Sequence, residues 1–155
     1  MANTSLNSVR IDFTIREITL NDVQAIHNFP TDNDCAEFVL ETYIKRGKGF
    51  VAEFDKSIIG YVVVMPNKDE FLDSYFLDDL FVLPNHRCIG IGSALVLKVI
   101  EEFGCKTIYC FVHSNLLTWY EKFDFRMHTE ILPNLFEIGD NGCVLIRKRD
   151  ADETQ

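Results

Sequence analysis

The residues best suited to chemistry lie between Leu80 and Ser93. There the apolar run Leu80-Phe81-Val82-Leu83 breaks at Pro84, and Arg87-Cys88-Ile89-Gly90-Ile91-Gly92-Ser93 leads into a helical pattern. A strand, a glycine-bearing turn and a helix start, in that order, suit a phosphate group. The helix leaves its first amide N–H groups without intrahelical partners, and the preceding turn aims more of them toward the same point. Glycine at 90 and 92 puts no Cβ in the way of a ligand approaching the backbone. Such turns also use glycine for geometry alone, so charge supplies a second test. From Leu80 to Tyr120 the only acids are Glu101 and Glu102, against Arg87, Lys98 and Lys106, whereas the 155-residue chain has a net charge of −9. An acid-poor middle in an acidic chain fits an anionic ligand, and a buried helix and strand account for part of the same pattern.

The rest of the composition narrows the classes. Five cysteines (35, 88, 105, 110 and 143) form no Cys-x-x-Cys pair. An odd, scattered set fits reduced thiols rather than a disulfide framework or zinc site, so no metal is expected. The negative charge argues against nucleic acid as a partner and leaves cationic substrates open. No apolar run approaches the roughly 20 residues of a membrane span, and Met1 to Ser8 has neither the basic nor the apolar region of a secretion signal. A soluble, cytoplasmic protein with no membrane partner is expected. With 47% hydrophobic and 25% charged residues, the chain fits one domain over residues 10–149, with tails at 1–9 and 150–155.

Periodicity supplies the elements that must hold these residues. Alternation predicts a strand over Ile11 to Ile18. Thr19 or Asn21 then caps a short helix carrying Val23, Ile26 and Phe29 and stopped at Pro30. A second helix fits Asp32 to Lys45, capped by Asp32 or Asn33, with Phe38, Val39, Thr42 and Tyr43 inward. Gly49 to Phe54 and Ser57 to Met65 read as a hairpin closed by Asp55-Lys56. Ser74 to Val82 reads as a central strand. The helix from about Gly92 to Phe103 buries Ala94, Leu95, Val96, Leu97, Val99 and Ile100, and Gly104 caps it. A strand over Thr107 to Val112, a helix over Leu116 to Phe123 capped by Ser114 or Asn115, and strands near Phe125 to Ile131 and Gly142 to Arg149 complete the chain. This order gives an α/β (α+β) fold with a largely antiparallel sheet. It lacks the strand-helix alternation of a dinucleotide-binding domain.

In order and spacing, the chain resembles the GNAT superfamily of acetyl-CoA-dependent N-acetyltransferases over nearly its whole length. Residues 78–93 look like the family's cofactor motif, with its [Arg/Gln]-x-x-Gly-x-[Gly/Ala] core at 87–92. Asn115 and Trp119-Tyr120-Glu121-Lys122-Phe123-Asp124-Phe125 resemble a second motif, Asn followed by Tyr-x-Lys-x-Gly-Phe. Cys88 and Asp124 stand where the family commonly has glycine, and Asn115 lies closer to Tyr120 than the usual spacing. The resemblance implies a splayed, mostly antiparallel mixed sheet of about seven strands flanked by about four helices. In it the strands ending at Val82 and Val112 part to admit the pantetheine arm of acetyl-CoA. Backbone groups of Phe81, Val82 and Leu83 would pair with that arm. The amides of Arg87, Cys88, Ile89, Gly90, Ile91 and Gly92, with Ser93 following, would hold the pyrophosphate, Arg87 would add charge, and Asn115 and Tyr120 would contact the cofactor.

Acetyl transfer to an amine needs a neutral nucleophile, a donor to the tetrahedral oxyanion and a proton for the departing thiolate. The resemblance makes Tyr120 the candidate acid, because its counterpart lies near the cofactor sulfur; by spacing alone it packs beside Trp119 and Phe123. The oxyanion donor would be the N–H of Val82 or its neighbour. Asp78 and Asp79 are candidate bases, and adjacent strand residues face opposite sides, so at most one faces the amine. Asp73, Glu70 and His113 are alternatives, as is water alone. In the family the first two helices and their loop wall the acceptor pocket. Specificity is therefore expected at Phe29 to Asp34, where Asp32 and Asp34 either favour a cationic amine or serve the helix start. The expected activity is direct transfer from acetyl-CoA to a primary amine in a ternary complex, without an acyl-enzyme. A non-catalytic acyl-CoA-binding or sensing module is the competing reading, and a monomer and a homodimer fit equally.

Overall fold

Apolar and alternating runs become strands, and amphipathic runs helices, in the order β1 (Thr14–Glu17), α1 (Val23–His27), α2 (Glu37–Arg46), β2 (Lys48–Phe54), β3 (Ser57–Pro66), β4 (Ser74–Val82), α3 (Ile91–Phe103), β5 (Thr107–His113), α4 (Leu117–Glu121), β6 (Arg126–Met127) and β7 (Gly142–Arg147). The structure is a computed structural model and describes residues 11–29, 37–68, 73–128 and 142–148. The seven strands form one sheet in the order β1-β2-β3-β4-β5-β7-β6, in which only β4 and β5 run parallel. This is the splayed, mostly antiparallel mixed sheet, with four helices among the described residues, that the resemblance implied.

The β2–β3 hairpin closes as predicted. Phe54 pairs with Ser57 across Asp55 (φ 47°) and Lys56 (φ 61°). Positive φ at both central residues is the geometry whose twist matches a two-residue hairpin. The sheet has a core on each face. One packs Phe50, Ala52, Ile59, Val62, Val64 and Leu77 against Ile91, Leu95, Val96, Val99 and Phe103 of α3 and Tyr120 of α4. The other packs Val51, Tyr61 and Val63 against Val23 and Ile26 of α1 and Leu40 of α2, with Phe29, Tyr43, Ile44 and Phe81 at its margin.

Two features set β4 apart from the other strands. Val63 pairs with Asp79 but Val64 pairs with Leu77, so Asp78 is an extra residue without a partner, a β-bulge. The bulge switches the parity of the strand. Before it Tyr75 and Leu77 face α3; after it Leu80 and Val82 take that face, and Phe81 joins the core under α1 and α2. The second feature is separation: β4 pairs with β5 only from Ser74–Thr107 to Leu77–Cys110, while Phe111 to His113 continue beside β7 alone.

Several expectations need correction. β1 begins at Thr14 rather than Ile11. The first helix is a 3-10 turn (Leu20–Asp22) running into α1. Its cap is Thr19, whose N–H and hydroxyl both donate to Asp22 Oδ2, at 2.8 and 3.0 Å. Leu97 is 54% exposed: the inward stripe of α3 runs Ile91, Leu95, Val96, Val99 and Phe103, and Leu97 lies on the outer face. Gly104 does cap α3 as expected, with a right-handed backbone (φ −65°) and its N–H donated to Ile100 O at 2.7 Å. A 3-10 turn (Ser114–Leu116) precedes α4, and no side chain caps either segment. The caps proposed at Asp32 and Asn33, the side chains of Phe38 and Val39, both tails, Glu70 and residues 129–131 lie outside the described residues.

Candidate active site

The parting of β4 from β5 leaves one edge of β4 open beyond Leu77. Leu83 donates its N–H to Ile59 O at 2.9 Å. Because antiparallel pairs alternate along a ladder, Phe81 shares that orientation, and Leu80 and Val82 turn their N–H and C=O groups to the opened side. Of Phe81, Val82 and Leu83, only Val82 presents its main chain to the gap. Leu80 joins it, a residue the sequence reading did not place among the cofactor contacts.

The turn beyond β4 brings the start of α3 against the same place. A Cβ on Gly92 would stand 3.6 Å from the Trp119 ring and 3.8 Å from the Val82 side chain, an ordinary packing distance. Ala94 is the first residue of α3 to donate back, to Gly90 O at 2.9 Å. The amides of Ile91, Gly92 and Ser93 therefore have no intrahelical acceptor. Gly90 sits at φ 94° with nothing within 4 Å of where a Cβ would stand, so its role is conformational and the space around it is open. Cys88 (φ 62°) and Asp124 (φ 64°) also take left-handed backbone. These are the two positions where the chain departs from the glycines of the motifs. Cys88, Ile89 and Gly90 are exposed. Arg87 folds back over β4: its Nε donates to Val82 O at 2.8 Å and its guanidinium carbon lies 5.3 Å from the Phe81 ring centre.

On the α3 side of the gap stands Tyr120, 4% exposed. Trp119 (4.8 Å, edge-on) and Phe125 (5.5 Å, edge-on) hold its ring. Among the described residues its hydroxyl has no hydrogen-bond partner. Burial, and then the neighbouring Cys110 and Asp79 as anions, push the phenol above its ordinary range. It is thus kept protonated, the state a proton donor needs. Asn115 is exposed on the turn before α4.

On the other side Tyr61 Oη donates to Asp79 Oδ2 at 2.5 Å. Burial, opposed by this bond and by the Leu80 amide and assisted by the charge of Asp78, raises the Asp79 carboxyl. Asp78, on the bulge, is exposed. Phe29, Tyr61 and Phe81 cluster beside Asp79 with ring centres 5.6 to 6.3 Å apart. Phe111 and His113, exposed on the parted end of β5, turn away from the Cys110 face. Asp73 is not brought here: it pairs with Lys106 where β4 and β5 are still joined. Sequence reasoning missed Tyr61 as the partner of Asp79. The signal was available only through the hairpin register, which the bulge displaces. Among the described residues no group of His, Cys, Asp and Glu could hold a metal ion, and no helix is long and apolar enough to cross a membrane.

Comparison with known proteins agrees with this geometry. Residues 45–127, a little over half of the chain, match the family model of the acetyltransferase (GNAT) domain. No curated protein sequence matches the chain. Among solved structures it is similar to the ribosomal-protein-S18-alanine N-acetyltransferase from Escherichia coli (20% identity, 93% of this chain and 99% of that one, TM-score 0.70). It is also similar to the paia N-acetyltransferase from Thermoplasma acidophilum in complex with coenzyme A (15%, 89% and 99%, TM-score 0.68). A third is Arabidopsis thaliana Naa50 in complex with the bisubstrate analogue CoA-Ac-MVNAL (19%, 88% and 98%, TM-score 0.64).

Proposed function

The chain belongs to the GNAT family of acetyltransferases, with acetyl-CoA as co-substrate, and from that premise we propose that it moves the acetyl group to a primary amine by direct attack in a ternary complex. The observation that carries this reading is the open edge of β4, where the main chains of Leu80 and Val82 face a gap that ends at the unpaired amides of α3. Val82 offers a strand edge to the pantetheine arm, with Phe81 and Leu83 holding β4 to β3 behind it. The amides from Cys88 to Ser93 receive the pyrophosphate, and Gly90 leaves room for it; the Arg87 amide, expected to join them, instead donates to Pro84 O at 3.3 Å in the turn. The N–H of Val82 donates to the carbonyl oxygen as negative charge grows on it.

Tyr120 protonates the departing thiolate. A hydroxyl without a partner among the described residues, on a buried ring, and a raised pKa support that role. Asp79 takes the proton of the attacking ammonium, directly or through water. Its raised carboxyl is a better base than an exposed aspartate, and the Tyr61 hydroxyl fixes its orientation. Asp78 adds negative charge at the rim. Two carboxylates and the rings of Phe29, Tyr61 and Phe81 favour a cationic amine carrying some apolar surface. Residues 10–149 would form the one catalytic domain. The free cysteines among the described residues fit a reducing, cytoplasmic compartment.

The test is thermal unfolding with excess acetyl-CoA, with adenosine as the control, followed by thiol release over a panel of amines. A ligand at about 100 times its dissociation constant stabilises the native state by about 2.7 kcal/mol. An upward shift with acetyl-CoA alone, and thiol release with an amine, are expected. No shift at saturating cofactor refutes the reading, and binding without release on any amine favours a non-catalytic acyl-CoA-binding module.

A further inference from the structure

Arg87 already occupies the main-chain acceptor that the cofactor arm would use. Its Nε donates to Val82 O at 2.8 Å, and its guanidinium rests on the Phe81 ring at 5.3 Å. Its terminal amino groups make no hydrogen bond or ion pair with the described residues. One side chain therefore spans two places: its Cα lies in the turn that opens α3, and its head reaches back onto the open edge of β4. Arg87 is also the only formally charged residue from Leu80 to Leu97.

We propose that Arg87 selects the acyl donor, closing the Val82 carbonyl in the free protein and giving it up to a thioester carrier whose phosphates take the guanidinium. The proposal rests on the cofactor reading above. The amide N–H of a pantetheine arm would compete for an oxygen that a cationic donor already holds, and charge-assisted hydrogen bonds are the stronger kind. A pantetheine thioester without phosphates must break that bond and gains nothing in exchange for the displaced guanidinium. Coenzyme A supplies the exchange, because its pyrophosphate would lie at the amides of Ile91, Gly92 and Ser93, within the same turn that carries Arg87. The side chain thus couples occupation of the strand edge to the presence of phosphate. The covalent chemistry is unchanged; what differs is which carrier reaches the edge.

The two ligands should respond to one substitution in opposite directions. Arg87→Met keeps an apolar stem over Phe81 and removes both the donor and the charge. Arg87 is exposed, so the variant should fold, and its unfolding midpoint checks this. In calorimetric titrations of the full chain, coenzyme A should bind the variant about fivefold more weakly, the loss of the pair with phosphate less the gain from a Val82 carbonyl that starts free. Pantetheine should bind it about threefold to tenfold more tightly than the unaltered chain, because the Val82 carbonyl starts free. Equal weakening of both ligands, or no gain for pantetheine, including no binding to either protein, overturns the proposal while the coenzyme A site stands. Failure of the unaltered chain to bind coenzyme A as well overturns the cofactor reading together with it.

Discussion

Tyr120→Phe removes one oxygen from the middle of the site and should move stability and activity in opposite directions. The ring stays between Trp119 and Phe125, since phenylalanine fills the same space. What is lost is a hydroxyl with no partner among the described residues, on a side chain 4% exposed. Burying an unsatisfied hydroxyl costs about 1–3 kcal/mol. Water at the rim of the gap offsets part of that, so a gain of about 1 kcal/mol is expected, the low end of that range. In a domain of this size that raises the unfolding midpoint by about 2–4 °C. On the role proposed above, the same change removes the acid, and thiol release at saturating cofactor should fall by about 10²–10⁴-fold. Because burial holds the phenol above its ordinary value of 10.0, the unaltered enzyme should show no alkaline loss of kcat from this group below that pH. Differential scanning fluorimetry and a thiol-trapping assay on the same preparations read both signs. A variant with unaltered kcat shows that Tyr120 only packs, and a variant less stable than its parent shows that the hydroxyl was already bonded; either result refutes the assignment.

Asp79→Asn should lower kcat/KM by about a hundredfold or more if the carboxylate is the base, and erase the acid limb of its pH profile. Asp79 binds its proton more tightly folded than unfolded, so its contribution to stability declines as pH rises from the ordinary 3.8 through its raised value. The variant should therefore unfold at higher temperature than its parent at pH 7 and not below pH 4, and loss of stability at pH 7 would refute the burial argument. Cys88→Gly should stabilise by about 0.5–1 kcal/mol, the left-handed penalty less the entropy of glycine. Asp124→Gly should do less, because aspartate tolerates that region better, and urea midpoints at constant slope check the order. Asp22, 7% exposed, accepts from Arg16 at 2.8 and 2.9 Å, which holds its carboxyl below the ordinary value of 3.8. That stability is present above 3.8 and lost as pH falls through the lowered folded value. Asp22→Asn should cost about 1–2 kcal/mol at pH 7, discounted because Arg16 is partly exposed, and a variant equal to its parent in urea at pH 7 would show the pair to be idle.

The parts of this fold that local physics decides were legible in the sequence. Asp55-Lys56 between two β-branched runs gave the hairpin, and the apolar run after Gly92 gave α3 within one residue of its start. The glycine-bearing turn pointed to the candidate site, because left-handed backbone and unpaired amides are encoded within a few residues. What was not legible is decided between strands. Nothing in Asp78-Asp79 announces a bulge, so strict alternation left open which aspartate turns inward, and the bond from Tyr61 depends on a register 18 residues away. Leu97 misled for a related reason: hydrophobicity marked it as core, while its position on α3 points it outward.

The bulge at Asp78 ties the two faces of the site together. Had β4 kept strict alternation, Asp79 would lie on the same face as Tyr75 and Leu77, in the apolar core that also holds Tyr120, and Leu80 and Val82 would face the opposite way. One extra residue instead gives that apolar face to Leu80 and Val82 and sends Asp79 to the side of Tyr61, Phe29 and Phe81. Bulges also bend and twist the strand that carries them, and β4 leaves β5 at Leu77, immediately before Asp78. The same residue therefore accounts for the parting of the strands, for main-chain groups left facing the gap, and for an acid and a phenol on opposite faces of one opening. With the roles proposed above for Asp79 and Tyr120, proton removal on one face and proton delivery on the other would need no residue to move across the sheet.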